Sequence, residues 1–189
     1  TWGTPVNVEP IVGGVTNGEF NFVSIIYDTA SQNIVIAWEG NRTDGEAGAR
    51  NSSHIRVGTV SGTTITFGTT IMHSDGDADD PAMSYDPVAE KIVLVYQDYG
   101  TLPFGESDGN AARVGTVSGT GSSATIHLGY PVDYDDEDPS GNSKKHDIVY
   151  NTSTQRHLVH YTYYIFAPTP SLNQALLVKT AKVTAVTLS

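Results

Sequence analysis

An octapeptide that occurs twice is the feature that most constrains how this 189-residue chain can fold. Arg56–Thr63 reads RVGTVSGT, and Arg113–Thr120 repeats it without a change 57 residues later. A second marker, a tyrosine followed by Asp or Asn, recurs at similar intervals and begins at Tyr27, Tyr85 and Tyr150. Because two independent markers recur at matching spacing, the sequence predicts an array of repeated structural units.

Each unit reads as four short β-strands, the first of which ends at the Tyr-Asp marker. Apolar runs such as Ile34–Trp38 and Ile92–Tyr96 follow the marker and predict the second strand. The octapeptide predicts the third strand and a Ser-Gly-Thr turn, and the β-branched alternation of 64–71 and 124–132 predicts the fourth. No segment combines helical periodicity with capping residues. The predicted fold class is therefore all-β.

Four antiparallel strands that recur every 50–65 residues or so are typical of a β-propeller blade. We predict a propeller-like array of three four-stranded antiparallel units, with a stacked β-sandwich or solenoid as the alternative. The units are predicted at 9–72, 73–132 and 133–189, and a weaker octapeptide copy spans Val178–Leu188. Residues 1–8 align with a fourth strand, either a closing strand or the end of a preceding unit. Since a closed ring needs about four to eight blades, we expect a longer chain or a ring of several chains.

The charge and the missing cysteines exclude several classes of function. The formal net charge is −11, from 10 Lys and Arg against 21 Asp and Glu, which argues against nucleic acid or an anionic membrane as partner. Without cysteine the chain has no disulfide, no thiolate zinc site and no cysteine nucleophile. No apolar run reaches the roughly 20 residues that a membrane-spanning helix needs.

Antiparallel alternation places the long loops of all units on one rim. Long loops on a rigid scaffold are where binding residues usually lie, so this long-loop rim is the predicted contact surface. Aromatic faces beside carboxylates and amides suit carbohydrate, although the same rings could instead fill gaps between units. The candidate ligand-binding residues are the aromatic residues in or beside these loops: Tyr99, Phe104, Tyr134, Tyr164 and Phe166.

Two acidic loops on this rim concentrate the negative charge. Alternating aspartates from Asp75 onwards resemble the start of a calcium loop, but Asp80 stands where such a loop has Gly, and Asp86 where it has Glu. The alternative is a solvated loop that keeps the surface soluble. If calcium is bound, the candidate ligands are Asp75, Asp77, Asp79, Asp135, Asp136 and Asp138.

Catalytic motifs are absent from the sequence. It contains no nucleophile elbow, phosphate-binding lysine loop or zinc-binding His-Glu-x-x-His. His157 and His160 are three residues apart in a strand, so their side chains are expected on opposite faces. No catalytic residue is predicted and the question of enzyme activity stays open, with a sialidase-like propeller glycoside hydrolase or lyase as the alternative function.

The segment Arg56–Thr69, RVGTVSGTTITFGT, resembles repeats of long tail-fibre and adhesin-like proteins of marine bacteriophages and other aquatic viruses. The resemblance spans nearly the whole chain and is weaker in the third unit. It implies a propeller-like, non-catalytic component of a virion surface or tail, or otherwise an extracellular one. The implied partners are other copies, other virion or surface proteins, and host surface polysaccharide. No catalytic residues are implied.

Overall fold

The computed structural model describes residues 2–8, 20–41, 51–74, 78–101, 107–134, 143–165 and 173–183. These residues form antiparallel strands and one 3₁₀ turn at Gly121–Ser123, with no α-helix among them, so the all-β prediction is confirmed. Within the same residues, no helix has the length and apolar character to cross a bilayer. The strands are β1 (Phe20–Asp28), β2 (Asn33–Asn41), β3 (Asn51–Ser61), β4 (Thr64–Phe67), β5 (Ile71–Met72), β6 (Ala78–Asp86), β7 (Lys91–Thr101), β8 (Ser107–Ser118), β9 (Thr125–Leu128), β10 (Val132–Asp133), β11 (Ser143–Asn151), β12 (Arg156–Ile165) and β13 (Asn173–Ala181).

The strands form three separate sheets of consecutive strands. The first sheet has the order β1-β2-β3-β4, with β5 also paired to β3. The second repeats this plan with β6, β7 and β8, and both β9 and β10 pair with β8; the third has the order β11-β12-β13. The described residues close no barrel or ring, so the propeller arrangement and the unit boundaries stay predictions.

The fourth strand is interrupted in the first two sheets, and the continuous strand predicted from β-branched alternation is wrong at this point. The pairing register shifts by one residue between β4 and β5, and again between β9 and β10, as in a β-bulge. The arginine of the octapeptide forms a hydrogen bond to the backbone at the interruption. Nε of Arg56 donates to the carbonyl oxygen of Gly68 at 2.7 Å, and Nε of Arg113 donates to that of Gly129 at 2.8 Å.

The Tyr-Asp marker is a turn signal. Oδ1 of Asp28, Asp86 and Asn151 accepts hydrogen bonds from the backbone N–H groups two and three residues further on, at 2.9–3.3 Å. This Asx-type turn offers the backbone an alternative to the strand ladder and so ends the first strand. A residue with positive φ completes each turn: Gln32 at 58°, Glu90 at 55° and Gln155 at 52°.

A bulge interrupts the first strand of every sheet at a matching position. The register shifts between Asn21 and Ser24 in β1, and at the corresponding points of β6 and β11. Each bulge contains one residue with positive φ: Phe22 at 47°, Asp80 at 51° and Lys145 at 61°. The bulge turns the strand, and in the second and third sheets it places polar residues at the long-loop end.

The apolar core lies between the sheets, which stack face to face. One cluster joins the first and second sheets through residues such as Val35 and Leu94, and another joins the second and third through residues such as Val95 and Val159. Because alternate residues of β7 point to opposite faces, Leu94 and Val95 enter different clusters. The unbroken apolar run of β7 therefore reflects a strand that is covered on both sides.

The pairing of β13 corrects the alignment of the third unit. Lys179 lies opposite Val159 in β12, as Arg113 lies opposite Leu94 in β7. The alignment of Val178 with Val114 is therefore wrong by two residues. A cation thus occupies the position of the octapeptide arginine in the third sheet, and it makes an equivalent contact.

Candidate functional site

Cationic side chains of the third strands connect each sheet to the segment before it. The guanidinium of Arg56 donates to the carbonyl oxygen of Val8, and that of Arg113 donates to the carbonyl oxygen of His73. In the third sheet Nζ of Lys179 donates to the carbonyl oxygen of Tyr134 at 2.7 Å. The contact therefore recurs three times, and the third instance holds one of the predicted ligand-binding residues in place.

Of the five aromatic candidates, Tyr134 is the one whose side chain the structure describes. Tyr99 and Tyr164 lie in β7 and β12, but their side chains are outside the described part of the chain, and so are Phe104 and Phe166 entirely. Tyr134 directly follows β10 at the long-loop end of the second sheet. Its backbone N–H donates to the carbonyl oxygen of Asn110 at 3.0 Å, which fixes its position against β8.

Tyr134 belongs to a cluster of three rings between the second and third sheets. Its ring lies edge-on to Tyr161 at a centroid distance of 5.7 Å and edge-on to His146 at 6.3 Å, while His146 and Tyr161 stack at 6.3 Å. Tyr161 is fully buried, whereas Tyr134 and His146 are half-buried. Tyr134 and His146 are therefore the partly accessible members of the cluster, and Tyr161 is its buried member.

Polar groups of the second sheet hold His146, which belongs to β11 of the third sheet. One ring nitrogen, Nδ1, lies 3.3 Å from the carbonyl oxygen of Asp80, and the other, Nε2, lies 3.0 Å from the side-chain amide oxygen of Asn110. Oδ2 of Asp80 accepts a hydrogen bond from the backbone N–H of Lys145 at 2.9 Å, which joins the bulges of β6 and β11. Contacts to both nitrogens fix the ring plane, so the half-buried imidazole has one defined orientation.

The matching position at the first junction is fully buried. There His73 takes the place of Tyr134, and its ring lies 4.6 Å from that of Tyr96. His73 is fully buried; burial, followed by the positive charges of Arg113 and His54, lowers its pKa to about 3. The imidazole is therefore neutral at physiological pH and serves as packing. The half-exposed aromatic cluster thus distinguishes the second junction from the first.

Tyr134 was a candidate from the sequence, whereas the residues that surround it in the structure were not: Asn110, His146, Tyr161 and Lys179. His146 stands where the second unit has Pro81, so an aligned repeat would have marked it as an unusual residue at a repeat position. Lys179 was hidden by the two-residue alignment error in the third unit. Tyr161 carries no signal beyond being one aromatic residue in an apolar strand.

Among the calcium candidates, Asp79 lies in β6 opposite Gln97. The other five, Asp75, Asp77, Asp135, Asp136 and Asp138, lie outside the described residues. No group of three or more His, Asp or Glu side chains converges as metal ligands within the described segments. The calcium site stays a prediction that depends on the two acidic loops.

A buried polar network at the short-turn end of the same junction contains Ser, His and Asp. Oγ of Ser84 lies 2.5 Å from Nδ1 of His157, and Nε2 of His157 lies 3.8 Å from Oδ2 of Asp86. All three residues are at most 4% exposed, so no substrate can reach the hydroxyl, and a nucleophile needs access as well as a base. Ser84 and His157 take the places of Ile26 and Ile92 at the first junction, and with Asp86 they join the two sheets.

The pKa directions in this network agree with a buried, charged aspartate. Burial lowers the pKa of His157 and outweighs the opposing effect of Asp86, so the imidazole stays neutral. Burial acts to raise the pKa of Asp86, but the N–H groups of its turn and the nearby Tyr150 and His157 outweigh it and lower the pKa. Burial, and then the Asp86 charge, raises the pKa of Tyr150. Asp86 is thus the one ionised group of the four.

Comparison with known proteins shows fold similarity and no family. No protein-family model matches the sequence, and no curated protein matches it. Among solved structures, the chain is similar to an N-acetylgalactosamine deacetylase from F. plautii in complex with blood group B trisaccharide, with a TM-score of 0.54 and 15% identity. The match covers 89% of this chain and 51% of the deacetylase chain, so this chain spans about half the length of that protein. At this identity the likeness concerns the fold alone.

Proposed function

We propose that this chain is a non-catalytic module of a virion or other extracellular surface that binds a host glycan at the second junction. We further propose that its three sheets are consecutive propeller blades and that the long-loop rim is the binding side. The observation that carries the proposal is the half-buried pair Tyr134 and His146, which hydrogen bonds hold in place. The three stacked sheets, with matching turns and bulges, support the blade arrangement.

The chemistry of the cluster suits a sugar. A sugar ring needs an aromatic surface for its C–H face, and the half-buried rings of Tyr134 and His146 are the candidates for it. The acidic residues that flank Tyr134 in the sequence, Asp133 and Asp135, are the candidate partners for the sugar hydroxyls. Both nitrogens of His146 are engaged and Lys179 holds the backbone of Tyr134, so little ordering is required on binding. The cluster is therefore organised before a ligand arrives.

The charge distribution narrows the class of glycan. The segment 75–80 contains four acidic residues and 133–138 contains five, and the sequence predicts both on the long-loop rim. Nearby carboxylates repel sulfate and uronate groups, so a neutral or amino sugar is favoured over an anionic polymer. The similarity to a deacetylase structure that holds blood group B trisaccharide supports a neutral oligosaccharide as the first probe.

Binding to immobilised glycans tests the proposal. The panel contains blood group B trisaccharide, other neutral oligosaccharides and bacterial and algal surface polysaccharides, with heparin as the anionic comparison. We expect Tyr134→Ala to weaken binding up to about tenfold, because a lost ring contact costs about 0.5–1.5 kcal/mol. Tyr130→Ala is the matched control, since Tyr130 is an exposed tyrosine outside the cluster.

Three results decide between the functions. Equal binding by the Tyr134→Ala and Tyr130→Ala proteins, or no binding to any glycan in the panel, would exclude the cluster as the glycan site. Stronger binding to heparin than to neutral glycans would contradict the charge argument. Release of sugar products from a bound polysaccharide, abolished by Asp79→Asn, would instead favour the hydrolase or lyase.

A further inference from the structure

The outward face of β1 exposes apolar side chains at positions that pack against the preceding sheet in the other two sheets. Val23, Ile25 and Tyr27 alternate along β1 and are 62%, 61% and 49% exposed. In β6 the residues at the same positions are buried against the first sheet: Pro81, Met83 and Tyr85. In β11 they lie against the second sheet: His146, Ile148 and Tyr150.

The third sheet has a complementary open face. Val149 in β11 and Val178 in β13 are 58% and 61% exposed, and half-buried Leu158 and His160 of β12 lie between them. In the second sheet the corresponding residues of β7, Val93 and Val95, are covered by the third sheet. Each end of the described array therefore exposes part of the surface that the internal junctions bury. At the first sheet this part is β1, since Ile36 and Trp38 of β2 on the same face are buried.

We propose that these two faces bind each other between copies of this chain, so that β1 of one copy packs on the β11–β13 sheet of the next. The occupant of each face follows from the internal junctions, where a first strand twice packs on the open face of the preceding sheet. Single exposed apolar residues are ordinary on protein surfaces. Here three alternating residues of one strand are exposed together at interface positions, and the third sheet has a matching apolar face. Such a contiguous patch indicates an interaction site.

The tyrosine of the marker sets the register of each junction. The hydroxyl of Tyr85 accepts a hydrogen bond from the backbone N–H of Ala30 at 3.2 Å, within the turn that Asp28 caps. Tyr150 lies close to Asp86, the capping residue of the second turn, and burial followed by this carboxylate raises the pKa of its hydroxyl. Between copies, Tyr27 would meet the turn capped by Asn151, which has the same hydrogen-bond pattern.

Such an interface is heterologous, because the two surfaces differ. A head-to-tail contact leaves one free face of each kind on every dimer, so association continues until a ring closes or a filament forms. This property allows a complementation experiment. Ile25→Asp blocks the β1 face and Val178→Asp blocks the third-sheet face, while each variant keeps the other face intact.

The experiment is sedimentation velocity of the 189-residue chain at about 1–100 µM. We expect the unchanged chain to form trimers or larger assemblies, and each variant alone to be monomeric. An equimolar mixture of the two variants is expected to form dimers and nothing larger. Val88→Asp is the matched control, since Val88 is a 64% exposed valine in a turn outside both faces, and it should assemble like the unchanged chain.

Four outcomes would overturn the proposal. The first two are that the unsubstituted chain is monomeric at the highest concentration, and that the mixture of the two variants stays monomeric. The third is that either variant alone assembles as the unsubstituted chain does. The fourth is that Val178→Asp alone forms dimers, which would indicate contact between two β1 faces. Circular dichroism and the thermal midpoint verify folding. Val23→Asp is a second variant of the β1 face and Val149→Asp a second variant of the third-sheet face. Val23 and Val149 are about as exposed as Ile25 and Val178.

Discussion

Gly68 provides a stringent test of how tightly the first two sheets are joined. A Cβ atom added to Gly68 would lie 1.7 Å from the carbonyl oxygen of Ala124, in the turn of the second sheet. Contacts under 3.0 Å essentially never occur for a real Cβ, so the two backbones would have to separate by more than 1 Å. Neither partner is a flexible side chain that can move away. Gly68→Ala must therefore displace one sheet relative to the other.

The expected cost lies at the upper end of overpacking, about 3 kcal/mol. For a chain of this size that loss lowers the thermal midpoint by about 6–12 °C. Gly129→Ala is the matched control, since Gly129 is the equivalent residue of the second sheet. Its added Cβ would lie 3.3 Å from the carbonyl oxygen of Val114, a contact that a small shift relieves. The lower entropy of the unfolded chain favours the alanine variant by about 0.4–1 kcal/mol, so Gly129→Ala is expected to be nearly neutral.

Urea denaturation followed by circular dichroism measures both variants against the unchanged chain. If the first sheet separates before the others in Gly68→Ala, the denaturant slope falls as well, because less surface is exposed in each transition. Fluorescence of Trp38, which is 2% exposed in the first sheet, reports on that sheet. Free energies of unfolding for Gly68→Ala and Gly129→Ala that agree within about 0.5 kcal/mol would refute the close approach.

Two further predictions concern stability. The pKa of His73 is lowered from 6.5 to about 3, so the stabilisation by its neutral imidazole is complete above pH 6.5 and is lost as the pH falls. We expect the free energy of unfolding, measured by urea denaturation, to be about 2 kcal/mol lower at pH 5 than at pH 8. For His73→Leu the same measurement should depend less on pH. A parallel profile for the variant would contradict this. Arg113→Ala should cost about 1–3 kcal/mol, because its guanidinium bonds two carbonyl groups, and Arg113→Lys should cost less, since one such contact can be kept, as Lys179 keeps it. Equal losses for the two variants would show that the retained contact contributes nothing.

The sequence predicted those parts of the fold that local patterns determine. The antiparallel strands and short turns follow from the repeated markers, since an Asx turn and an αL residue act within five positions of the chain. The interruption of the fourth strand was not predicted. At the interruption the side chain of Arg56 or Arg113 bonds a carbonyl group 12 or 16 residues away, a contact that no local pattern predicts.

The candidate site was found in part, because it depends on how two units meet. Tyr134 could be predicted from its place in a long-loop segment, but its partners Asn110 and Tyr161 belong to other strands and to both sheets. The sequence pattern within one unit does not predict which side chains of the next unit it will contact. Alignment between units could have marked His146 and Lys179, had the third unit been aligned by its turn at Asn151 instead of by the degenerate octapeptide.

The Tyr-Asp marker has a consequence for how such an array changes during evolution. The dipeptide supplies both contact groups of the interface between neighbouring units. The aspartate caps a turn, and the tyrosine binds the equivalent turn of the preceding unit. A duplicated gene segment therefore arrives with a complete connector, and no new complementary surface has to arise by mutation. Copy number can rise or fall by recombination while each joint keeps its geometry, and the loops of each copy remain free to diverge.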